Sequence, residues 1–311
     1  MKIGKVTLDN EFALAPMAGF TEVAFRSICS EAGAGLTVTE MVSAKGLIYG
    51  SENTQDLLYC EDNESPKAVQ LFSNEPEVIY DASQHPELQK FDIIDINMGC
   101  PVPKIIKNNM GSAMLRTPDI ASKVVRACVD STDKPITVKM RIGIKDMPIS
   151  PIDFARLMQD SGASALTVHG RTREQMYMGE ANWDIIDEIA KAVDIPVFGN
   201  GDVNSVEMAR EKLNNTHCSG IAIGRGALGN PWMFGELANN PYTLDPMTVI
   251  KKHIDIMLKY FPSRVVFPLM RRHFGFYIRS RRNCKVYRDK INRSQDYDEI
   301  ISLLKEAFAN N

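Results

Sequence analysis

The 311-residue sequence contains no run of about 18 apolar residues, the length a helix needs to cross a bilayer. Its first residues, MKIGKVTLDNEFALAP, have neither the basic start nor the long apolar stretch of a secretion signal, so a soluble cytoplasmic protein is expected. C-x-x-C is absent too. The six cysteines, Cys29, Cys60, Cys100, Cys128, Cys218 and Cys284, stand far apart in a chain long enough to build its own core, which argues against disulfide staples and structural zinc. Around Cys100 no partner ligands stand at metal-binding spacing, and no metal is expected. Nothing calls for membrane contact or for more than a monomer.

What is present is an uneven charge. Residues 1–240 hold 22 Lys and Arg against 32 Asp and Glu, whereas residues 241–311 hold 14 against 7. Between Arg264 and Arg293 there are ten basic residues and one acid, Asp289. A basic end on an acidic body points to a polyanionic partner, nucleic acid first, with a merely solvated helix surface as the alternative.

Eight short β-branched or apolar runs recur: FALAPM (12–17), LTVTE (36–40), KAVQLF (67–72), IIDIN (93–97), ITVKM (136–140), ALTVH (165–169), PVFGN (196–200) and IAIGR (221–225). Amphipathic stretches separate them, among them Pro118–Val129, Pro151–Ser161, Trp183–Val193 and Ser205–Leu213. Thr117, Ser150, Asn182 and Asn204 stand where helix caps are expected. Eight strand–helix units over residues 1–240 predict a (β/α)8 TIM barrel of the α/β class rather than an open sheet. Beyond that the alternation stops. Residues 241–311 read as a small all-helical domain, with helices over Pro246–Tyr260, a basic stretch after Pro262 running to Ile278, and Tyr297–Phe308.

In such a barrel the carboxyl ends of the strands converge on one face, so polar residues there are read as a set. The set is Pro16, Met17, Ala18, Gln70, Asn97, Cys100, Lys139, Arg141, His169, Asn200, Gly201, Asp202, Gly224 and Arg225. GNGDVNS and GRGALGN follow the seventh and eighth strands, where this fold commonly binds phosphate through backbone N–H groups. The second fits G-x-G-x-x-G, but a dinucleotide-binding reading needs another strand after the helix, and a basic helical stretch follows instead. Lys139 at a barrel mouth is costly unless it meets an electron-rich partner such as the pyrimidine edge of a flavin, to which Gln70 can also donate and accept. His169 is placed to meet phosphate or flavin, or to serve packing alone. Cys100, between Gly99 and Pro101, is either a buried apolar thiol or a general acid.

The segments APMAGFTEVAFR, INMGCPVPKI, GSAM, VKMRIG, TVHGRT, GNGDV and IGRGALGNPW together resemble the tRNA-dihydrouridine synthases, most closely the bacterial B-type members. The likeness runs over nearly the whole chain; only SRRNCKV (280–286) is more basic than the family pattern. The resemblance implies that Pro16–Ala18, Gln70, Lys139, Asn200–Asp202 and Gly224-Arg225 bind flavin mononucleotide (FMN), that NADPH is the reductant, and that the helical domain helps hold tRNA. It makes Cys100 the proton donor. Uracil's C5=C6 bond is conjugated with its C4 carbonyl, so hydride from reduced flavin is expected at C6 and a proton from Cys100 at C5. Asn97, Arg141 and Arg171 are then expected at the nucleotide, and Arg271, Arg272, Arg281 and Arg282 at the RNA backbone. Two alternatives stay open: an FMN barrel of dihydroorotate dehydrogenase type acting on a small molecule, and an inactive RNA-binding barrel.

Overall fold

The eight runs are buried along most of their length, as strands covered on both faces must be. In the computed structural model, which describes residues 1–294 and 296–309, they form parallel strands β1 (Phe12–Leu14), β2 (Leu36–Ser43), β3 (Lys67–Phe72), β4 (Ile93–Met98), β5 (Ile136–Gly143), β6 (Ala165–Thr172), β7 (Val197–Asn200) and β8 (Gly220–Ile223). Each pairs with the next and β8 closes onto β1, completing the expected barrel. Ile3 and Leu8, from and beside an antiparallel hairpin of Lys2–Ile3 with Val6–Thr7, pack against Ala13, Leu36, Ile93 and Ala165, plugging the end where the strands begin.

Helices cover the outside, their apolar faces meeting outward-pointing residues such as Ile94, Ile96, Val138 and Met140. Ser150 and Asn182 cap as expected, accepting from the N–H groups of Asp153 and Ile185. Two caps differ. Ser205, not Asn204, receives the Met208 N–H, and Thr117 makes no side-chain cap bond because its hydroxyl turns back toward the Met114 carbonyl.

Among the described residues beyond 240 there are four helices: Pro246–Tyr260, Ser263–Tyr277, Cys284–Arg293 and Tyr297–Ala309. The third was not expected from the sequence. Ile250, Ile254, Met257, Phe274 and Leu304 share one core with Val23, Ala24 and Ile28 of the barrel's first helix, Val23–Glu31. No helix among the described residues is long and apolar enough to cross a membrane, and all six cysteines are free.

The seam between barrel and helices turns on Glu22. Its carboxylate caps the first helix through the Phe25 N–H and takes Nε2 of His253 at 2.6 Å and Nε2 of His273 at 3.2 Å. A carboxylate can only accept, so both imidazoles donate. Glu22, His253 and His273 are the one group among the described residues close enough to hold a metal, but these three N–H donors already occupy the carboxylate. Burial raises the Glu22 pKa, yet the charge and hydrogen bonds of the two imidazoles outweigh it and hold the carboxyl far below its usual range. Burial, helped by neighbouring His273, pushes His253 down to about 4.

Both shifts make the fold acid-sensitive. Below pH 6.5 the unfolded chain protonates His253 while the folded one does not until about pH 4, so this histidine's contribution to stability is lost across that window. The loss is about 3 kcal/mol. Glu22 adds to it, since a carboxyl held low in the fold loses its contribution as pH falls through its unfolded value. Urea midpoints should fall between pH 6.5 and 4.5, and less so for His253→Gln; equal slopes would remove His253 from the account.

Candidate active site at the barrel mouth

Strand register, more than sequence distance, assembles the site. Pairing sets Gln70 beside Asp95, Asp95 beside Thr137, Asn97 beside Lys139, Arg141 beside His169, and His169 beside Asn200. Because side chains alternate along a strand, Asp95 and Asn97 share one side of β4, and Thr137, Lys139 and Arg141 share one side of β5. The expected residues from β3 to β7 thus follow one another along that part of the mouth.

A chain of hydrogen bonds runs through it. Thr137 Oγ1 donates to Asp95 Oδ1 (2.6 Å), and Gln70 Nε2 donates to Asp95 Oδ2 (2.7 Å). Asn97 Nδ2 donates to Gln70 Oε1 (2.7 Å), and Asn97 Oδ1 accepts the N–H groups of Gly99 (3.2 Å) and Cys100 (3.0 Å). Ser112 holds the Cys100 carbonyl through its own N–H and hydroxyl. Gly111, at φ +61°, approaches so closely that a Cβ there would lie 2.9 Å from that carbonyl oxygen. The Cys100 thiol is half-buried, and burial raises its pKa against the Val102 N–H and the Arg141 charge. It is therefore a protonated thiol at neutral pH.

The other side of the mouth is crowded with cations. Lys139 Nζ donates to Asn200 Oδ1 at 3.2 Å, and burial together with Arg141 pushes the amine down to about 8. Arg141 gives Nε to the Gly99 carbonyl (2.9 Å) and Nη1 to those of Thr172 (2.8 Å) and Met176 (2.9 Å), tying the cysteine loop to the loop after β6. Arg171 pairs with Asp202 (2.7 and 2.9 Å), yet its buried Nη1 has no partner. Arg225 stands 3.7 Å from Asp202 and over the Tyr177 ring, with Arg141 over the same ring. In their midst, burial and then Lys139, Arg141, Arg171 and Arg225 push His169 down to about 2, so it is a neutral imidazole. Burial alone opposes a charge of either sign, but these four cations favour an anion.

The glycines show where such an anion fits. Gly201, at φ +138°, and Gly226 are required by the chain's own packing, since a Cβ would strike Ala181 or the Val203 carbonyl. Gly224 is not: its φ is ordinary, and a Cβ would meet nothing closer than Met17 Sδ at 3.5 Å. The room for a methyl group at Gly224, in ordinary contact with Met17 and Ala15, lies where the loop carrying Pro16, Met17 and exposed Ala18 meets the loop after β8. Together with the unpartnered Arg171 nitrogen and the ring of cations, these residues fit a phosphate-bearing cofactor such as FMN. Gln70 is buried, but keeps one N–H and one lone pair beyond the bonds to Asp95 and Asn97.

The basic residues of the helical region divide. Arg271 and Arg272 line a cavity of about 310 Å3 with Gly275, Phe276, Arg279, Arg288 and Asn292, and no carboxylate lines it. This cavity adjoins the mouth: Arg272 packs against Gly19, Phe276 meets the Phe20 ring edge-on at 5.5 Å, and Arg279 donates to the Gly226 carbonyl. Arg281 instead stacks over Phe308 and lines an adjoining cavity of about 400 Å3 that shares Phe276 and Arg279 with the first, while exposed Arg282 lines neither. Asp95, Thr137, Tyr177, Arg279 and Arg288 went unread in the sequence. For Asp95 and Thr137 a signal existed, because each stands two residues before an expected mouth residue on the same strand.

A model of the dihydrouridine synthase family matches residues 13–311. The chain is 35% identical over 306 residues to a probable tRNA-dihydrouridine synthase of Rickettsia conorii, covering 95% of this chain and 92% of the relative. It is 34% identical over 318 residues to tRNA-dihydrouridine synthase B of Pseudomonas aeruginosa, covering 99% and 96%. Among solved structures, 2-naphthoyl-CoA reductase with its 2-naphthoyl-CoA superposes with a TM-score of 0.62 at 9% identity, over 77% of this chain and 51% of that one. Histamine dehydrogenase from Rhizobium sp. 4-9 gives 0.58 at 13% identity, over 82% and 50%. The chain spans about half the length of these two structures, and the likeness to them is one of fold.

If the space at Gly224 is kept for a ligand rather than for packing, Gly224→Ala should leave the urea midpoint unchanged while weakening flavin retention about tenfold, or ~1.4 kcal/mol. Unchanged flavin affinity, measured by fluorescence titration, would assign the glycine to the turn alone.

Proposed function

The chain belongs to the dihydrouridine synthase family, and from that premise we propose that it is an FMN-dependent tRNA-dihydrouridine synthase reducing D-loop uridines with NADPH. Residues 1–240 are the catalytic barrel and residues 241–311 the part that holds tRNA. The observation that carries the reading is a protonated thiol, Cys100, held on a fixed loop at the edge of a cation-lined mouth.

FMN is held by Pro16, Met17, Ala18, Gln70, Lys139, His169, Asn200, Gly201, Asp202, Gly224 and Arg225. When bound and reduced by NADPH, it supplies the hydride for C6 of uracil. The rest falls to the protein. Cys100 Sγ gives its proton to C5, and the resulting thiolate is steadied by the Val102 N–H and the Arg141 charge. Arg141 has spent Nε and Nη1 on backbone carbonyls, so it serves the nucleotide through its charge and by holding the loop. Asn97 keeps one N–H for the uracil edge beyond its bonds to Gln70 and the loop. Lys139 and Arg171 favour the negative charge that develops as the ring is reduced.

A uridine stacked inside folded RNA does not present C5 and C6 to the mouth, so it must be swung out. The acidic barrel does not attract RNA. The arginine-lined cavity beside the loops after β1 and β8 is placed to seat the backbone next to the extruded nucleotide. An FMN barrel for a small molecule leaves that cavity without a purpose.

Cys100→Ala should keep FMN and its bleaching by NADPH but lose on the order of 10²–10⁴ in turnover on tRNA. In the parent enzyme single-turnover reduction should fall as pH rises through the thiol pKa, because the acid form is the one required; a rise there would make Cys100 a base. Replacing Arg272, Arg279 and Arg288 together with Ala should flatten the salt dependence of tRNA binding by about 0.7–0.9 per lost phosphate contact. An unchanged slope would place the RNA elsewhere on the protein.

A further inference from the structure

The hydrogen-bonded chain beneath Cys100 has an order that packing alone does not explain. An amide's oxygen and nitrogen have nearly the same shape, so Gln70 and Asn97 fit their sites either way round; only a partner that solely accepts or solely donates distinguishes them. Such partners stand at both ends. At the bottom, the Asp95 carboxylate accepts from Thr137 Oγ1 (2.6 Å) and Gln70 Nε2 (2.7 Å). At the top, the backbone N–H groups of Gly99 and Cys100 donate to Asn97 Oδ1 (3.2 and 3.0 Å). Asp95, Gln70 and Asn97 are all buried, at 4%, 1% and 7% exposure, so water does not easily substitute for a misdirected amide.

We propose that Asp95 is a positioning residue for Cys100: by fixing the direction of the Gln70 and Asn97 amides, its carboxylate keeps an acceptor under the loop that carries the thiol. The loop then needs no reordering when its own contacts loosen as a nucleotide enters or leaves. The purpose assigned to this device rests on the proton-donor role of Cys100 given above. Its existence does not, because every bond in the chain joins two groups of the protein itself.

The logic predicts a specific rescue. In Asn97→Asp the new carboxylate can accept from the loop but turns an oxygen toward Gln70, whose amide must reverse to donate; the reversed Gln70 then points its oxygen at Asp95, acceptor against acceptor, a repulsion relieved by displacing the new carboxylate and with it the loop above. Changing Asp95→Asn in addition supplies an N–H to that oxygen while still accepting from Thr137. The whole chain runs backwards, yet the loop keeps its acceptor.

The test follows the rate of Cys100 alkylation by iodoacetamide on the purified protein, resolved by peptide mass spectrometry, with half-buried Cys60 and Cys284 as internal references. Asn97→Asp should raise the Cys100 rate at least about tenfold, and Asn97→Asp with Asp95→Asn should return it to within about threefold of the parent. Should Asn97→Asp fail to accumulate as folded protein, recovery of folded protein in the double variant reads the same coupling. The proposal is overturned if Asn97→Asp behaves as the parent, if the double variant is no closer to the parent than Asn97→Asp, or if neither folds. Turnover on tRNA is not needed for any of these outcomes, so loss of the enzymatic reading would leave the result standing.

Discussion

A polar group inside a barrel must find a partner or cost about 1–3 kcal/mol, and the mouth of this one buries a carboxylate, three amides and two arginines and half-buries a lysine. That constraint organises the site. Asp95 is satisfied by Thr137 and Gln70, Gln70 by Asn97, Asn97 by the cysteine loop, and Lys139 by Asn200. Arg141 closes the circuit by bonding the Gly99 carbonyl from the other side. The loop bearing Cys100 is thus held both through its N–H groups and through its carbonyls, which fixes a small thiol that has little surface of its own to anchor it.

Electrostatics then separates the mouth from the body around it. Residues 1–240 carry more acid than base, but at the ends of β5, β6 and β8 the balance reverses, with Lys139, Arg141, Arg171 and Arg225 around one neutral imidazole. Asp202 offsets part of this, being held low by its hydrogen bonds and by Arg171 and Arg225 despite some burial. Fields inside a concave, partly desolvated site are screened far less than those on the surface. An anion approaching the acidic exterior therefore gains little until it reaches either the mouth or the arginine-lined cavity beside it.

All eight strands were legible because covered parallel strands read as short apolar runs, and the helices between them because one apolar face repeats every three to four residues. The helix Cys284–Arg293 was not legible, since only Tyr287 and Ile291 are buried along it, Val286 is exposed and most of the rest of CKVYRDKINR is charged or polar. Asp95 is hidden by the same pattern that reveals its strand: IIDIN reads as an apolar run, although its alternation puts Asp95 on the side of Asn97. Thr117 and Asn204 were named as caps by residue type, but the cap bond depends on where the backbone turns. Arg279 and Arg288 gained their place only when two helices brought them to one cavity, a juxtaposition no linear spacing records.

Glu22 lies four residues beyond Ala18, at the far end of the loop that follows β1, and the same carboxylate that starts the barrel's first helix is gripped by histidines from two helices of the C-terminal region. The rim of the mouth and the docking of that region are accordingly one mechanical unit. Cutting the chain after the barrel would strip the cover from Val23, Ala24 and Ile28 and slacken the rim at Met17 together. The barrel cannot be borrowed without its companion, and exchanging the helical part for another would mean re-solving the entrance as well.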